Sequence, residues 1–211
     1  MRANGQYDSE YKQTDSFWGW NPAKYVKKLE PYLTPNHKLA LDIGAGEGKN
    51  SFFLSEKGIN VHAVEVSLYA IKNLIKKSIE LKEEGKEQDI DIFCCDGMEW
   101  MSYCPNYDLI VSYGMLHCLQ SFNEIKKMIQ LYKAKTNSKG LNVICTFLEG
   151  EPVPEIQKYL NPFFVKKEDI LEIYKDWEIL ESEVEVIEHM HPTTKVMHKH
   201  TVLRMIARKK G

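Results

Sequence analysis

A chain of 211 residues with 43% apolar side chains has material for one sizeable core, and needs neither disulfide nor metal to hold it. Its 28 basic and 30 acidic side chains leave a net charge of −2, which argues against the basic excess of a general nucleic-acid binder. Cys94, Cys95, Cys104, Cys118 and Cys145 are odd in number and lack Cys-x-x-Cys spacing, so they read as free thiols, buried or partly buried, in a reducing compartment. No apolar run approaches the ~18 residues of a membrane span, and the polar start lacks a signal-peptide core, so the expectation is a cytoplasmic protein with no membrane partner.

Residues 1–16 are polar and read as an arm without a core of its own. Phe17-Trp18-Gly19-Trp20 concentrates aromatic surface, and Asn21-Pro22 offers an N-cap and a first-turn proline for a short helix through Glu30, before Pro31 and Pro35. From Lys38 onward short apolar runs alternate with helical ones. Strands are predicted over 39–43, 59–65, 90–94, 107–113 and 141–147, and helices over 49–57, 67–84 and 123–136. In the last helix Ile125, Met128, Ile129 and Tyr132 mark one buried face. Beyond Phe147, Glu151-Pro152-Val153-Pro154 reads as a surface loop, 167–174 as a short helix, and 177–187 and 197–208 as two closing strands. Such alternation predicts an α/β, doubly wound, mostly parallel sheet.

The segment Asp42-Ile43-Gly44-Ala45-Gly46-Glu47-Gly48 follows a strand and opens a helix, where glycines let the backbone turn sharply and approach a ligand. A dinucleotide fingerprint would place its third glycine at position 49, which is Lys49; here it stands at Gly48. A sulfonium nucleoside suits the pattern better, because it carries an ammonium group for a carboxylate to order and no pyrophosphate. Glu65 ends the second strand, where an acid accepts both ribose hydroxyls, and Asp96-Gly97 follows the third, within reach of an adenine amino group.

These residues, with the fourth-strand run Asp108-Leu109-Ile110-Val111-Ser112-Tyr113, resemble the class I S-adenosylmethionine-dependent methyltransferases. The nearer similarity is to the tellurite-resistance methyltransferases and their thiopurine-methyltransferase-like relatives. It is carried by Gly46-Glu47-Gly48-Lys49-Asn50-Ser51, Phe163-Phe164-Val165-Lys166-Lys167-Glu168, Tyr174-Lys175-Asp176-Trp177-Glu178 and Ala207-Arg208-Lys209-Lys210. The resemblance implies a seven-stranded Rossmann-like sheet with an antiparallel last strand, an arm and lid helix over 1–36, and a methyltransferase domain over 37–211. It also implies that Asp42, Gly44, Ala45 and Gly46 hold the methionine end of S-adenosylmethionine, Glu65 and Val66 the ribose, and Asp96 with Gly97 the adenine, with Asn50 a further cofactor-binding residue. Ser112 would lie under the sulfonium. Trp18-Gly19 matches a pair that folds over the cofactor; the alternative is that Trp18 and Trp20 only cap the core.

Methyl transfer needs position and a dry site more than a base, so catalytic candidates stand out less. His117 follows the fourth strand and would titrate near neutrality as a base, unless it is a helix-end residue bonded to backbone. Tyr113 closes over the substrate or simply packs. His189-Met190-His191 and His198-Lys199-His200 place alternate imidazoles on shared strand faces. A hairpin turning near Thr194-Lys195 would oppose His189 to His200 and His191 to His198. Such a patch borders an acceptor pocket, binds a metal, or receives an anion. His189 matches the histidine of the family's His-Arg pair, but Met190 replaces the arginine. Cys94-Cys95 reads as packing, and the lysine-rich runs as solvated faces. The expected substrate is a small molecule, with a thiol, selenium or tellurium nucleophile favoured. The rival reading is a non-catalytic S-adenosylmethionine-binding or histidine-rich metal-binding module.

Overall fold

The computed structural model describes residues 7–150, 161–190 and 195–211, with His189 described in backbone only. Seven strands form one sheet in the order β3-β2-β1-β4-β5-β7-β6. They are β1 (Leu39–Ile43), β2 (Asn60–Glu65), β3 (Ile90–Cys94), β4 (Tyr107–Tyr113), β5 (Thr136–Phe147), β6 (Glu178–Met190) and β7 (Met197–Arg208). The first five run parallel, and β7 lies antiparallel between β5 and β6. The doubly wound sheet with an antiparallel last strand is therefore as expected. Its strand order reverses between β1 and β4, which opens a crevice at their carboxyl ends.

Seven helices complete the described fold: α1 (Asp8–Gln13), α2 (Lys24–Lys27), α3 (Lys49–Glu56), α4 (Leu68–Glu83), α5 (Gly97–Tyr103), α6 (Phe122–Lys135) and α7 (Lys167–Ile173). Strand alternation divides the core. Ala40, Leu109, Val111, Val143 and Ile206 meet Tyr25 and Val26 of α2 and Phe53 and Leu54 of α3. Leu41, Ile110, Ile144 and Met205 meet Met101 of α5, Ile129 and Tyr132 of α6, and Ile170 of α7. Side-chain caps fix three helix starts: Ser67 Oγ accepts from Ala70 N at 3.3 Å, Ser121 Oγ accepts from Glu124 N at 3.2 Å, and the Asp96 carboxylate caps α5.

Several expectations are corrected. The arm has a core: α1 buries Glu10 and Tyr11. The helix expected from Pro22 is the shorter α2, whose N-cap is Ala23 rather than Asn21. Strand β5 begins five residues earlier than the apolar pattern, at Thr136. The polar run survives in the sheet because a register shift lies between Tyr107 and Leu109, and Asn137 Nδ2 donates to Asp108 Oδ1 at 2.8 Å. Helix α5 has only seven residues, too few to show periodicity. Cys94 is exposed, not packed. The segment 151–154 lies outside the described residues.

The hairpin register also differs. His189 pairs with His198, and Ile187 with His200. Pairing starts with Glu178 against Arg208 and shifts by one residue between Ile179 and Glu181; the observed register lies two residues from the expected one. His191 lies outside the described residues. Among the described residues no helix is long and apolar enough to cross a membrane.

Central burial in β4 gives the first prediction. Ile110→Ala, at a fully buried position, should lower unfolding free energy by about 2–5 kcal/mol, and Ser121→Ala by about 1 kcal/mol. Urea unfolding checks both.

Candidate active site

The glycine turn between β1 and α3 is held from β2. Val64 O accepts from Gly44 N at 2.8 Å and from Ala45 N at 3.1 Å. Gly44 and Gly46 have φ of 71° and 56°, which disfavours any side chain there. Glu65, 9% exposed, grips the same turn: its Oε2 accepts from Gly46 N at 2.9 Å. Its Oε1 accepts from Val66 N at 2.9 Å and Ser67 N at 2.8 Å. Burial raises the Glu65 pKa, and the three N–H donors oppose that shift.

Asp42, 1% exposed, accepts from Ser51 Oγ at 2.7 Å. Burial pushes its pKa up to about 6. Asp96 is the N-cap of α5, and its Oδ1 accepts from Met98 N at 2.8 Å and Glu99 N at 3.1 Å. Its Oδ2 makes no hydrogen bond among the described residues. Gly97 sits beside it, where a Cβ would come within 3.0 Å of Ile43 and 3.1 Å of Met115. Met115 also lies against Gly44, so the three strand ends share one floor.

The arm closes over this turn. A Cβ on Gly46 would meet Tyr11 Oη at 2.9 Å. Tyr11 Oη accepts from Trp18 Nε1 at 3.1 Å, while Phe17 and Trp18 stack edge-on at 4.6 Å. Asn73 of α4 donates to Tyr11 O and Thr14 O at 3.0 Å and to Glu47 Oε1 at 2.9 Å. Ser67 Oγ bonds Asp8, and Lys49 Nζ donates to Trp18 O at 3.2 Å. Asn50 Oδ1 accepts from Ala23 N at 2.9 Å, which commits that oxygen to the chain.

Across the crevice, Tyr113, Cys145 and Arg204 form one rung of β4, β5 and β7, with their polar ends in contact. Burial raises the Tyr113 pKa and takes Cys145 up to about 11. Arg204, 9% exposed, pairs through Nη1 with Glu185, and its buried Nε has no hydrogen-bond partner among the described residues. Beside this rung, Phe147 stacks between His117 at 3.8 Å and His200 at 4.2 Å, and His198 lies edge-on to His200 at 4.9 Å. Ser112 faces the other way, accepting from Tyr132 Oη at 3.1 Å.

His117 does not suit the expected base near neutrality. Burial pulls its pKa to about 3, so the ring stays neutral, and its Nδ1 has no hydrogen-bond partner among the described residues. Of the predicted residues, Asp42, Gly44, Ala45, Gly46, Glu65, Val66, Asp96, Gly97 and Trp18 surround the turn. Tyr113 and His117 lie on the opposite wall of the crevice, at the ends of β4 and β5. His189 is placed only by its pairing with His198. Sequence reasoning missed Tyr11, Glu47, Phe147 and Arg204. The one available signal was Tyr7 and Tyr11, an i,i+4 aromatic pair in an otherwise polar arm.

His117 supplies a pH prediction. Its folded pKa lies below the unfolded value of 6.5, so its contribution is complete above pH 6.5 and lost as pH falls towards 3. Asp42, raised from 3.8 to about 6, acts oppositely between those values. Comparing His117→Phe with the wild type cancels the Asp42 contribution and keeps the stacked ring. The wild type should lose roughly 2–3 kcal/mol more than the variant between pH 6.5 and 4.5, read by urea unfolding at each pH.

Known proteins bear on this geometry. The family model described as tellurite resistance protein TehB matches residues 21–204. The chain is 28% identical over 153 residues to hemagglutinin 1 of Eikenella corrodens, covering 72% of this chain and 48% of that protein. It is 30% identical over 149 residues to a Haemophilus influenzae protein named probable S-adenosyl-L-methionine-dependent methyltransferase TehB, covering 67% and 46%. The chain thus spans about half the length of the curated relatives it matches. The crystal structure of TehB from Haemophilus influenzae superposes with a TM-score of 0.74 at 25% identity, covering 97% of this chain and 67% of that one. With the match running from the arm's end nearly to the last strand's end, the chain belongs to the tellurite resistance protein TehB family.

Proposed function

We propose that the chain is an S-adenosylmethionine-dependent methyltransferase acting on a small molecule with a soft nucleophile, a thiol or a reduced selenium or tellurium species. The observation that carries this is the convergence of Asp42, Glu65 and Asp96, from three neighbouring strand ends, on one glycine turn. The residues suit the cofactor. Asp42, Gly44, Ala45 and Gly46 face its methionine end, Glu65 and Val66 its ribose, and Asp96 and Gly97 its adenine. The Asp96 Oδ2 left without a protein partner is an acceptor for an adenine amino group. When bound, the cofactor supplies a methyl group already activated by positive sulfur.

The chain's own part is then to orient and to exclude water. Residues 1–36 act as arm and lid, with Trp18 over the turn, and 37–211 carry the methyltransferase domain. On the acceptor side, Tyr113 and the neutral His117 orient the nucleophile without removing a proton at neutral pH. His189 borders the outer end of that site through its place beside His198. A soft nucleophile fits these groups because a thiol ionises near pH 8.5 and needs no strong base.

Thermal melts with S-adenosylhomocysteine and turnover on a thiol panel test this reading. Ligand at 100 times its Kd should stabilise by about 2.7 kcal/mol, and at least one thiol should be methylated. No thermal shift at millimolar ligand would reject the cofactor. A shift without turnover on thiols, selenols or tellurols would leave a non-catalytic binder instead. Asp96→Ala should weaken the ligand about tenfold, read by calorimetry.

A further inference from the structure

Tyr11 is the least explained polar group at the turn. It lies on α1, is 8% exposed, and its hydroxyl touches the face of Gly46 that a Cβ would fill. The oxygen already accepts from Trp18 Nε1 at 3.1 Å. Its own proton has no acceptor among the described residues. Glu65 lies near, but its two oxygens accept from Gly46, Val66 and Ser67 N–H groups. Glu47 lies near as well: its Oε1 takes the Asn73 amide, and its buried Oε2 has no hydrogen-bond partner among the described residues, so it lies beyond hydrogen-bond reach of the Tyr11 hydroxyl. A buried O–H donor left unmatched is costly unless a ligand supplies the acceptor.

We propose that Tyr11 is a cofactor-contacting residue whose hydroxyl, oriented by the Trp18 indole, donates to the carboxylate at the methionine end of the cofactor. This rests on the reading of the turn as an S-adenosylmethionine site. Two features select the carboxylate. The unspent group on Tyr11 is a donor, so it needs an acceptor and not the ligand's ammonium. Gly46 adjoins the methionine end, and the Lys49 ammonium stands beside the same turn, donating to Trp18 O. The contact also couples ligand to lid. Tyr11 and Trp18 share one hydrogen bond, and Asn73 ties the arm's carbonyls at Tyr11 and Thr14 to α4. A cofactor that engages Tyr11 thereby holds residues 8–18 in place.

Calorimetry with two nucleosides tests the assignment. S-adenosylhomocysteine carries the carboxylate; 5′-methylthioadenosine keeps the nucleoside and sulfur but lacks the amino-acid end. Tyr11→Phe should raise the Kd for S-adenosylhomocysteine about tenfold and leave that for methylthioadenosine unchanged within about twofold. Trp18→Phe, which keeps a ring but removes the indole donor, should show the same selectivity with a smaller loss. The unliganded melting temperature of Tyr11→Phe should fall by no more than about 4 °C, since only the Trp18 hydrogen bond is lost. Equal loss for both nucleosides would assign the hydroxyl to lid packing, and no loss for either would remove it from the site; each overturns the proposal. If the wild type binds neither nucleoside, the cofactor reading itself fails, which is a separate outcome.

Discussion

One buried carboxylate organises the site. Glu65, at the end of β2, accepts from Gly46 in the neighbouring β1 turn and from Val66 and Ser67 at the start of α4. Burying a charge costs several kcal/mol unless it is matched by donors, and three backbone N–H groups provide that match. The result is a rigid link between the glycine turn of β1 and the N-terminus of α4. Because Ser67 and Asn73 then hold the arm, its position is set against the same reference. Turn, buried acid and arm form one mechanical unit.

The opposite wall is built on different physics. His117, Phe147 and His200 are stacked, uncharged at neutral pH in the case of His117, and mostly shielded from water. Next to them stands Arg204, whose charge is answered by Glu185 from the neighbouring strand. A wall of this kind provides shape and hydrogen-bonding edges rather than a proton sink. That suits a reaction whose electrophile is activated before it arrives.

Much of this was legible in the sequence. Strands β1, β3, β4 and β7 were predicted with their observed bounds because their apolar runs are bounded by clear breaks, and the glycine turn with its following acid marked the crevice. Three things were hidden, each for a physical reason. Helix α1 draws its stability from packing against α4 rather than from propensity, so the polar arm showed no periodicity. Helix α5 is shorter than the two turns that a hydrophobic stripe needs. The histidine register is set by the ladder that starts at Glu178 and Arg208, and it lies two residues from the expected pairing, which no local pattern at 189–200 could reveal. The role of His117 was misjudged because its pKa is set by burial, a property of the assembled core.

The central claim is that the Glu65-held turn and the arm respond to the cofactor as one unit. Hydrogen–deuterium exchange with and without S-adenosylhomocysteine tests it most directly. The account predicts that amides at Gly46, Val66 and Ser67 slow on ligand addition together with those of residues 8–18. Slowing confined to residues 42–50, with the arm unchanged, would contradict it.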